Sequence, residues 1–328
     1  MIRCTWWEVH TTLLLALCLW SICAVAADSY PTRPIRLISP FAPGGGNDII
    51  SRTLGAAVSK NLGQSIVVDN RPGANTIVAM EILARATPDG YTLLTTSSSQ
   101  ATNATLYSKL PYDSIKDFSP VSMVGVSPLV VAVNPALPIK TIGELIAAAK
   151  AKPGSIMYPS AGTGNSTHLG GELFAVMAGV TLTHVPYKGL GPGLVDLMAG
   201  RLQTIFSTAP AAMPHIKTGR LRGLAVTTAT RSNLLPQLPT VAESGVPGYE
   251  SGSWYGVSAP AGTPRAIIAR LNKEITAVLA TPEFREQLLN AGADPMPTTP
   301  EQFAAYIQME ITKWAKVIKL SGAKAESL

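Results

Sequence analysis

Short apolar runs along the chain alternate with stretches in which apolar residues recur at helical spacing. Ile35-Arg36-Leu37-Ile38 predicts a strand, and beyond it Ile50, Leu54, Val58 and Leu62 step by four, which puts them on one face of a helix that Gly63 ends. Ile66-Val67-Val68 predicts the next strand, Asn70-Arg71-Pro72-Gly73-Ala74-Asn75 opens a further helix, and Tyr91-Thr92-Leu93-Leu94 gives a third strand. A second series starts at Leu129-Val130-Val131-Ala132-Val133, followed by Thr141-Ile142-Gly143-Glu144, where Thr and Glu three apart predict reciprocal capping of a helix start. Ser155-Ile156-Met157-Tyr158, Thr183-His184-Val185, Thr204-Ile205-Phe206 and Gly223-Leu224-Ala225-Val226 read as strands, with helices through Leu173 and from Leu194 to Met198. This alternation predicts an α/β fold with largely parallel sheets, one for each series.

The tail is different. Thr263-Pro264, Thr281-Pro282 and Thr299-Pro300 each place a cap residue before proline at a first helical position, so three successive helices are expected to pack back on the first series. The chain would then cross between two α/β domains near Ser127-Pro128 and again near Trp254-Tyr255-Gly256, and two crossings make a hinge. The expected domains are residues 28–126 with 254–328, and residues 127–253.

The amino end stands outside this pattern. Residues 1–27 carry an apolar stretch, Leu13 to Trp20, that is shorter than the roughly 20 residues of a membrane span and ends in Ala24-Val25-Ala26-Ala27. The reading is a secretory signal peptide cleaved near Ala26 or Ala27, which exports a protein without cysteine, because Cys4, Cys18 and Cys23 all lie within it. No disulfide or thiolate metal site is expected in the product. The net charge of +6 over 328 residues is spread in single Lys and Arg residues. That spread argues against nucleic acid, which calls for a basic stripe with aromatic platforms, and gives a mild field that favours small anions.

Candidate chemistry sits in two glycine turns. Pro40-Phe41-Ala42-Pro43-Gly44-Gly45-Gly46-Asn47-Asp48 lies between the first strand and helix, and Ser160-Ala161-Gly162-Thr163-Gly164-Asn165-Ser166 follows Tyr158 in the second series. Each is either a chain reversal or a place where backbone N–H groups and the positive end of a helix close on an anion. Ile49 and Thr167 break the dinucleotide fingerprint, and neither turn carries the Gly-Lys-Ser/Thr of a P-loop, so a nucleotide is not expected. Asp48 reads as a cap for the helix start, with loop shaping or an amine contact as the alternative, and Arg52 pairs with it one turn on. Ser97-Ser98-Ser99 falls at the same end of its sheet, where small hydroxyls can donate to a carboxylate.

Nucleophilic catalysis has one candidate, Ser166 with His168, but the glycine that a nucleophile elbow needs at position 168 is absent. His184 reads as a packed strand histidine and His215 as helix surface, and no histidines share a helix face for a metal.

These residues resemble the periplasmic receptors of tripartite tricarboxylate transporters, the Bug or TctC-like proteins. The resemblance runs from about Tyr30 to Ala323. It rests on the first glycine turn with Asp48 and Arg52, Asn70-Arg71-Pro72-Gly73-Ala74, Pro88-Asp89-Gly90-Tyr91, Leu110-Pro111-Tyr112-Asp113, Ser160-Ala161-Gly162 and His168-Leu169. Val185-Pro186-Tyr187-Lys188-Gly189, Leu238-Pro239-Thr240, Trp254-Tyr255-Gly256 and Pro260-Ala261-Gly262-Thr263-Pro264 extend it in the same order. It implies a type II periplasmic-binding fold, a Venus flytrap closing on a small organic carboxylate, in a monomer that delivers the ligand to transporter membrane subunits. No metal, cofactor or catalytic residue is implied. The ligand residues it implies are Phe41, Ala42, Gly44, Gly45, Gly46, Asn47 and Asp48 from one turn, and Ser160, Ala161, Gly162, Thr163, Gly164, Asn165 and Ser166 from the other. Ser97, Ser98, Asn103 and His168 are added to these. Some members carry an acid after the Phe206 position, and Ser207-Thr208 here implies a plain carboxylate rather than an amino acid. An exported hydrolase using Ser166 and His168, or a ligand-sensing partner of a signalling protein, are the competing functions.

Overall fold

In the computed structural model, which describes residues 30–232 and 235–321, the first apolar run forms β1 (Ile35–Ser39). The signal peptide expected over residues 1–27 lies outside the described residues. α1 (Gly46–Leu62) buries Ile50, Leu54, Val58 and Leu62, and Gly63 ends it with a left-handed φ of +67°. β2 (Ile66–Asn70), a left-handed turn at Ala74–Thr76, α2 (Ile77–Ala84), β3 (Thr92–Ser97) and α3 (Ser99–Leu106) complete the first series. β4 (Phe118–Val133) leads into α4 (Ile142–Ala151), whose Thr141–Glu144 capping box is present. β5 (Met157–Ser160), α5 (Ser166–Ala178), β6 (Thr183–Pro186), α6 (Leu190–Met198), β7 (Thr204–Thr208), α7 (Ala209–Lys217) and β8 (Arg222–Val226) follow. The chain returns through β9 (Gly252–Pro260) to α8 (Arg265–Ala280), α9 (Pro282–Asn290), β10 (Asp294–Pro295) and α10 (Pro300–Ser321).

The sheets differ from the largely parallel expectation. Strand order is β2-β1-β3-β9-β4-β10, parallel only among β1, β2 and β3, with β9 antiparallel to both β3 and β4. β4 is shared: Phe118 to Pro128 pair with β9, while Leu129 to Val133 lie between β7 and β8. The second series therefore has no separate sheet of its own apart from the parallel pair β5–β6. The long strand tolerates Pro120 because the ladder shifts register between Pro120 and Ser122, and again between Met123 and Gly125.

One core gathers Leu37, Leu54, Leu93, Val257, Leu271 and Ile275, and another gathers Val131, Leu145, Tyr158, Phe174, Phe206 and Tyr249. α8 packs on α1 and β4, as expected of the tail. α10 lies along α3 and β4, but Trp314 and Ile318 also meet Leu169 of α5, so the last helix touches both series.

Gly256 on β9 leaves room for the Phe303 ring, since a Cβ there would lie 2.6 Å from a ring carbon. Gly256→Ala is expected to lose about 1–3 kcal/mol through overpacking. Urea unfolding measures it, and an unchanged midpoint would show that the ring yields freely.

Candidate functional site

The turns after β1 and β5 face each other across two adjoining cavities, which share Phe41 and Ala161 as walls. The inner one, about 20 Å³, is bounded by Gly45, Gly46, Asn47, Ser97, Asn165, Ser166, Thr167, Leu190, Thr208, Ser253 and Tyr255. That is room for little more than one water-sized group. The outer cleft, about 300 Å³, is lined by Pro40, Gly73 to Thr76, Tyr107, Gly162, Thr163 and Pro186 to Lys188. Lys188 is the one charged side chain in either lining.

The two turns are built differently. At the first, Gly45 occupies the cap position of α1 and supplies no side-chain acceptor for the N–H groups of the first helical turn, and Gly45, Gly46 and Asn47 line the inner cavity. Asp48 does not cap them. Its Oδ2 accepts from Gly44 N–H at 3.0 Å, and its Oδ1 takes Asn70 Nδ2 at 2.8 Å and Arg52 Nη2 at 2.9 Å. Burial works against its charge, but the bonds from Arg52, Asn70 and Gly44 outweigh it and hold the carboxyl below the ordinary range. Asp48 thus shapes the loop, with its oxygens committed away from the cavity.

At the second turn the amides are answered internally. Asn165 caps α5, its Oδ1 accepting from Thr167 N–H at 3.0 Å. Ala161 N–H donates to Thr167 Oγ1, Gly162 N–H to Ser160 Oγ, and Gly164 N–H to His168 Nδ1, at 3.0, 3.1 and 3.0 Å.

The donors that sequence reading overlooked lie opposite Gly46. Thr208 Oγ1 and Tyr255 Oη are buried and make no well-formed hydrogen bond, although Thr208, Ser127 and Ser253 lie near enough to the phenol to temper the effect of its burial. Both crowd the Gly46 Cα: a Cβ there would lie 2.7 Å from Tyr255 Oη and closer still to Thr208 Oγ1. Burial pushes the Tyr255 phenol up to about 12, which keeps it a donor at neutral pH. Leaving such groups unpaired costs about 1–3 kcal/mol each, a deficit that an acceptor in the inner cavity would remove. Tyr255 was visible in the sequence as part of a domain crossing and of one motif of the resemblance, and Thr208 only as the replacement for an acid.

Ala74, Asn75 and Thr76 have φ of +43°, +46° and +78° beside the outer cleft. Non-glycine residues in this region cost about 1–3 kcal/mol each, so the surroundings must hold them. Asn103 does so: its Nδ2 donates to Asn75 O and its Oδ1 accepts from Asn75 Nδ2, both at 2.8 Å. Ser99 Oγ donates to Asn75 Oδ1 and accepts from Asn165 Nδ2, each at 3.0 Å, which ties this turn to the second glycine turn. Ala42 N–H donates to Lys188 O at 3.0 Å, and Phe41 packs with Ala161, Leu190 and Leu194. The two series are closed on each other.

Of the residues expected at the site, Gly45, Gly46, Asn47, Ser97, Asn165 and Ser166 line the inner cavity, Gly162 and Thr163 the outer, and Phe41 and Ala161 both. Ala42, Gly44, Asp48, Ser98, Asn103, Ser160, Gly164 and His168 line neither cavity, and Gly44 is exposed. Ser166 has no base, because His168 Nδ1 accepts from Gly164 and Nε2 faces Glu172 at 3.7 Å. His184 packs against Tyr158 and His168, and His215 lies half-buried on α7. Among the described residues no group of three His, Cys, Asp or Glu side chains is placed to hold a metal.

Comparison with known proteins identifies the company this site keeps. The family model described as tripartite tricarboxylate transporter family receptor matches residues 50–323. Protein BugT of Bordetella pertussis is 41% identical over 302 residues, covering 92% of this chain and 93% of that protein. The structure of R. palustris Rpa4515 with adipate superposes with a TM-score of 0.88 at 38% identity, over 90% of this chain and 99% of the other. A structure described as a periplasmic transporter gives 0.87 at 39% identity, with coverage of 90% and 99%.

Proposed function

Because this chain belongs to the tripartite tricarboxylate transporter receptor family, we propose that it captures a small organic carboxylate between its two halves in the periplasm and presents it to the membrane subunits of such a transporter. The observation that carries the reading is the inner cavity, where the uncapped start of α1 meets the unpartnered hydroxyls of Thr208 and Tyr255 with no acidic side chain in the lining. A carboxylate accepts from hydroxyl and amide donors together and gains from the positive helix end. Each charge-assisted bond contributes about 1.5–3 kcal/mol, so one carboxylate is held without an arginine. The adipate in the Rpa4515 structure is such an acid.

Gly46, Asn47, Ser97, Ser166, Thr208 and Tyr255 surround the carboxylate, and the rest of the ligand lies in the outer cleft near Lys188. Asp48, Asn103, Ser160 and His168 hold the walls in shape. Residues 28–126 with 254–328 form one lobe and 127–253 the other, hinged on β4 and β9, in a protein that works as a monomer after export under the leader at residues 1–27. The ligand favours the closed form by the difference between its affinities for closed and open states.

A thermal-shift series on the purified protein tests this with adipate, malate, citrate and benzoate, against glucose and magnesium. A carboxylate at a hundred times its dissociation constant adds about 2.7 kcal/mol and raises the melting temperature. Stabilisation by glucose or magnesium, with none by any carboxylate, would reject the reading.

A further inference from the structure

We propose that His168, backed by His184, is a positioning residue for the carboxylate site: as a neutral imidazole it holds the Gly164 N–H and fixes the second glycine turn, and protonation releases the turn and weakens binding. This rests on the functional reading above and adds to it a pH-linked control.

The geometry is specific about the protons. Gly164 N–H donates to His168 Nδ1 at 3.0 Å, so Nδ1 carries a lone pair and the ring proton sits on Nε2, toward Glu172 Oε1 at 3.7 Å. A second proton would have to go on Nδ1, where it would meet the Gly164 N–H, and two donors cannot share that position. The turn bond must then break. Gly164 has little freedom to adjust, since its φ is +81° and the Leu106 side chain lies against its Cα. The neighbouring residues, Thr163 and Asn165, line the outer and inner cavities, so a shift in this turn reaches both.

His184 makes the neutral state cooperative. The two imidazoles stack with centroids 4.0 Å apart, and His184 Nε2 lies 2.6 Å from Ser160 Oγ, the acceptor for Gly162 N–H. One histidine thus holds the amide of Gly164 and the other, through Ser160, that of Gly162. The titratable groups facing the pair are Glu172 on α5 and Tyr158 on β5, whose hydroxyl donates to Glu172 Oε1 at 2.6 Å. Burial keeps His168 neutral against the pull of Glu172, and burial, with His168 beside it, pushes His184 down to about 3. The unfolded chain takes up protons near pH 6.5 while the folded pair does not, so the stability from this pair is complete above that pH and declines as pH falls toward 3.

The test uses the purified protein with ¹⁵N-labelled glycine and histidine, and adipate as the probe. Nitrogen spectra should show His168 as the Nε2–H tautomer, with the Gly164 amide resonance shifting in step with its titration. A Gly164 amide indifferent to that titration overturns the proposal. His168→Asn places a non-titrating carbonyl near the Nδ1 position, so it should bind adipate at pH 7.5, whereas His168→Leu should bind weakly at every pH. Dividing wild-type affinity by that of the Asn variant removes the ligand's own titration. Because burial holds His168 neutral below the ordinary histidine range, this ratio should stay level from pH 7.5 to 6.5 and fall at lower pH, by up to about tenfold per pH unit once the ring takes up its proton. A ratio that stays flat or rises down to the lowest pH at which both proteins remain folded overturns the proposal. If adipate binds neither protein at pH 7.5, the functional reading has failed, and the nitrogen spectra alone decide whether His168 positions the turn.

Discussion

Gly46→Ala is expected to remain folded, with about 1–3 kcal/mol lost to overpacking against Thr208 and Tyr255, and to lose carboxylate binding by about a hundredfold or more. Position 46 is the first residue of α1 and has helical geometry, so alanine meets no backbone penalty there. Its methyl group, however, would occupy the space against Thr208 Oγ1 and Tyr255 Oη that the inner cavity reserves for a ligand oxygen. Losing two charge-assisted bonds at about 1.5–3 kcal/mol each, with 1.4 kcal/mol per factor of ten, gives at least that loss in affinity. Gly45→Ala is the control. A Cβ there would meet Ala42 O and Leu190 N at 3.7 Å, an ordinary contact, so affinity should change little. Titration calorimetry with a carboxylate that binds the wild type, alongside circular dichroism for the fold, separates them. Equal affinity in wild type and Gly46→Ala would remove α1's start from the binding site.

The contrast between those two glycines also marks where sequence stops. Three glycines in a row announce a turn without Cβ atoms, but which one faces the ligand depends on Thr208 and Tyr255, which β7 and β9 deliver from distant parts of the chain. The buried face of α1 was readable because Ile50, Leu54, Val58 and Leu62 repeat at the helical period, and the Asp48–Arg52 pair because i and i+4 are neighbours on a helix. The direction of Asp48 was not, since Asn70 at the end of β2 helps set it. The first half of β4 escaped for a different reason: Pro120 and Pro128 argue against a strand, and the tertiary pairing with β9 overrides them. Nor does anything local announce Ala74 and Thr76 at positive φ, a conformation maintained from a distance by Asn103 and Ser99. Local rules thus specified the elements, and long-range pairing specified the walls of the site.

Glu310→Leu is expected to cost about 2–6 kcal/mol, the largest loss of stability foreseen for a single exchange in this molecule. Glu310 is 4% exposed, and its Oε2 accepts from two indoles, Trp254 Nε1 at 3.1 Å and Trp314 Nε1 at 2.9 Å, while Lys313 Nζ lies 3.4 Å from Oε1. Leucine matches the volume but leaves both buried N–H groups without an acceptor, at about 1–3 kcal/mol each. At roughly 2–4 °C per kcal/mol for a chain approaching this size, the melting temperature should fall by several degrees to more than ten. Glu310→Gln retains a carbonyl acceptor and should recover most of the loss, which separates the missing hydrogen bonds from any effect of packing. The consequence reaches the ligand as well. Trp254 pairs with Val126 on β4, and its neighbour on β9, Tyr255, points to the opposite face and into the inner cavity. Loosening the indole cluster frees the strand that aims the Tyr255 hydroxyl, so Glu310→Leu should bind carboxylate more weakly even at temperatures where it remains folded. Full affinity in a folded but destabilised Leu variant would show that β4 alone fixes the position of Tyr255.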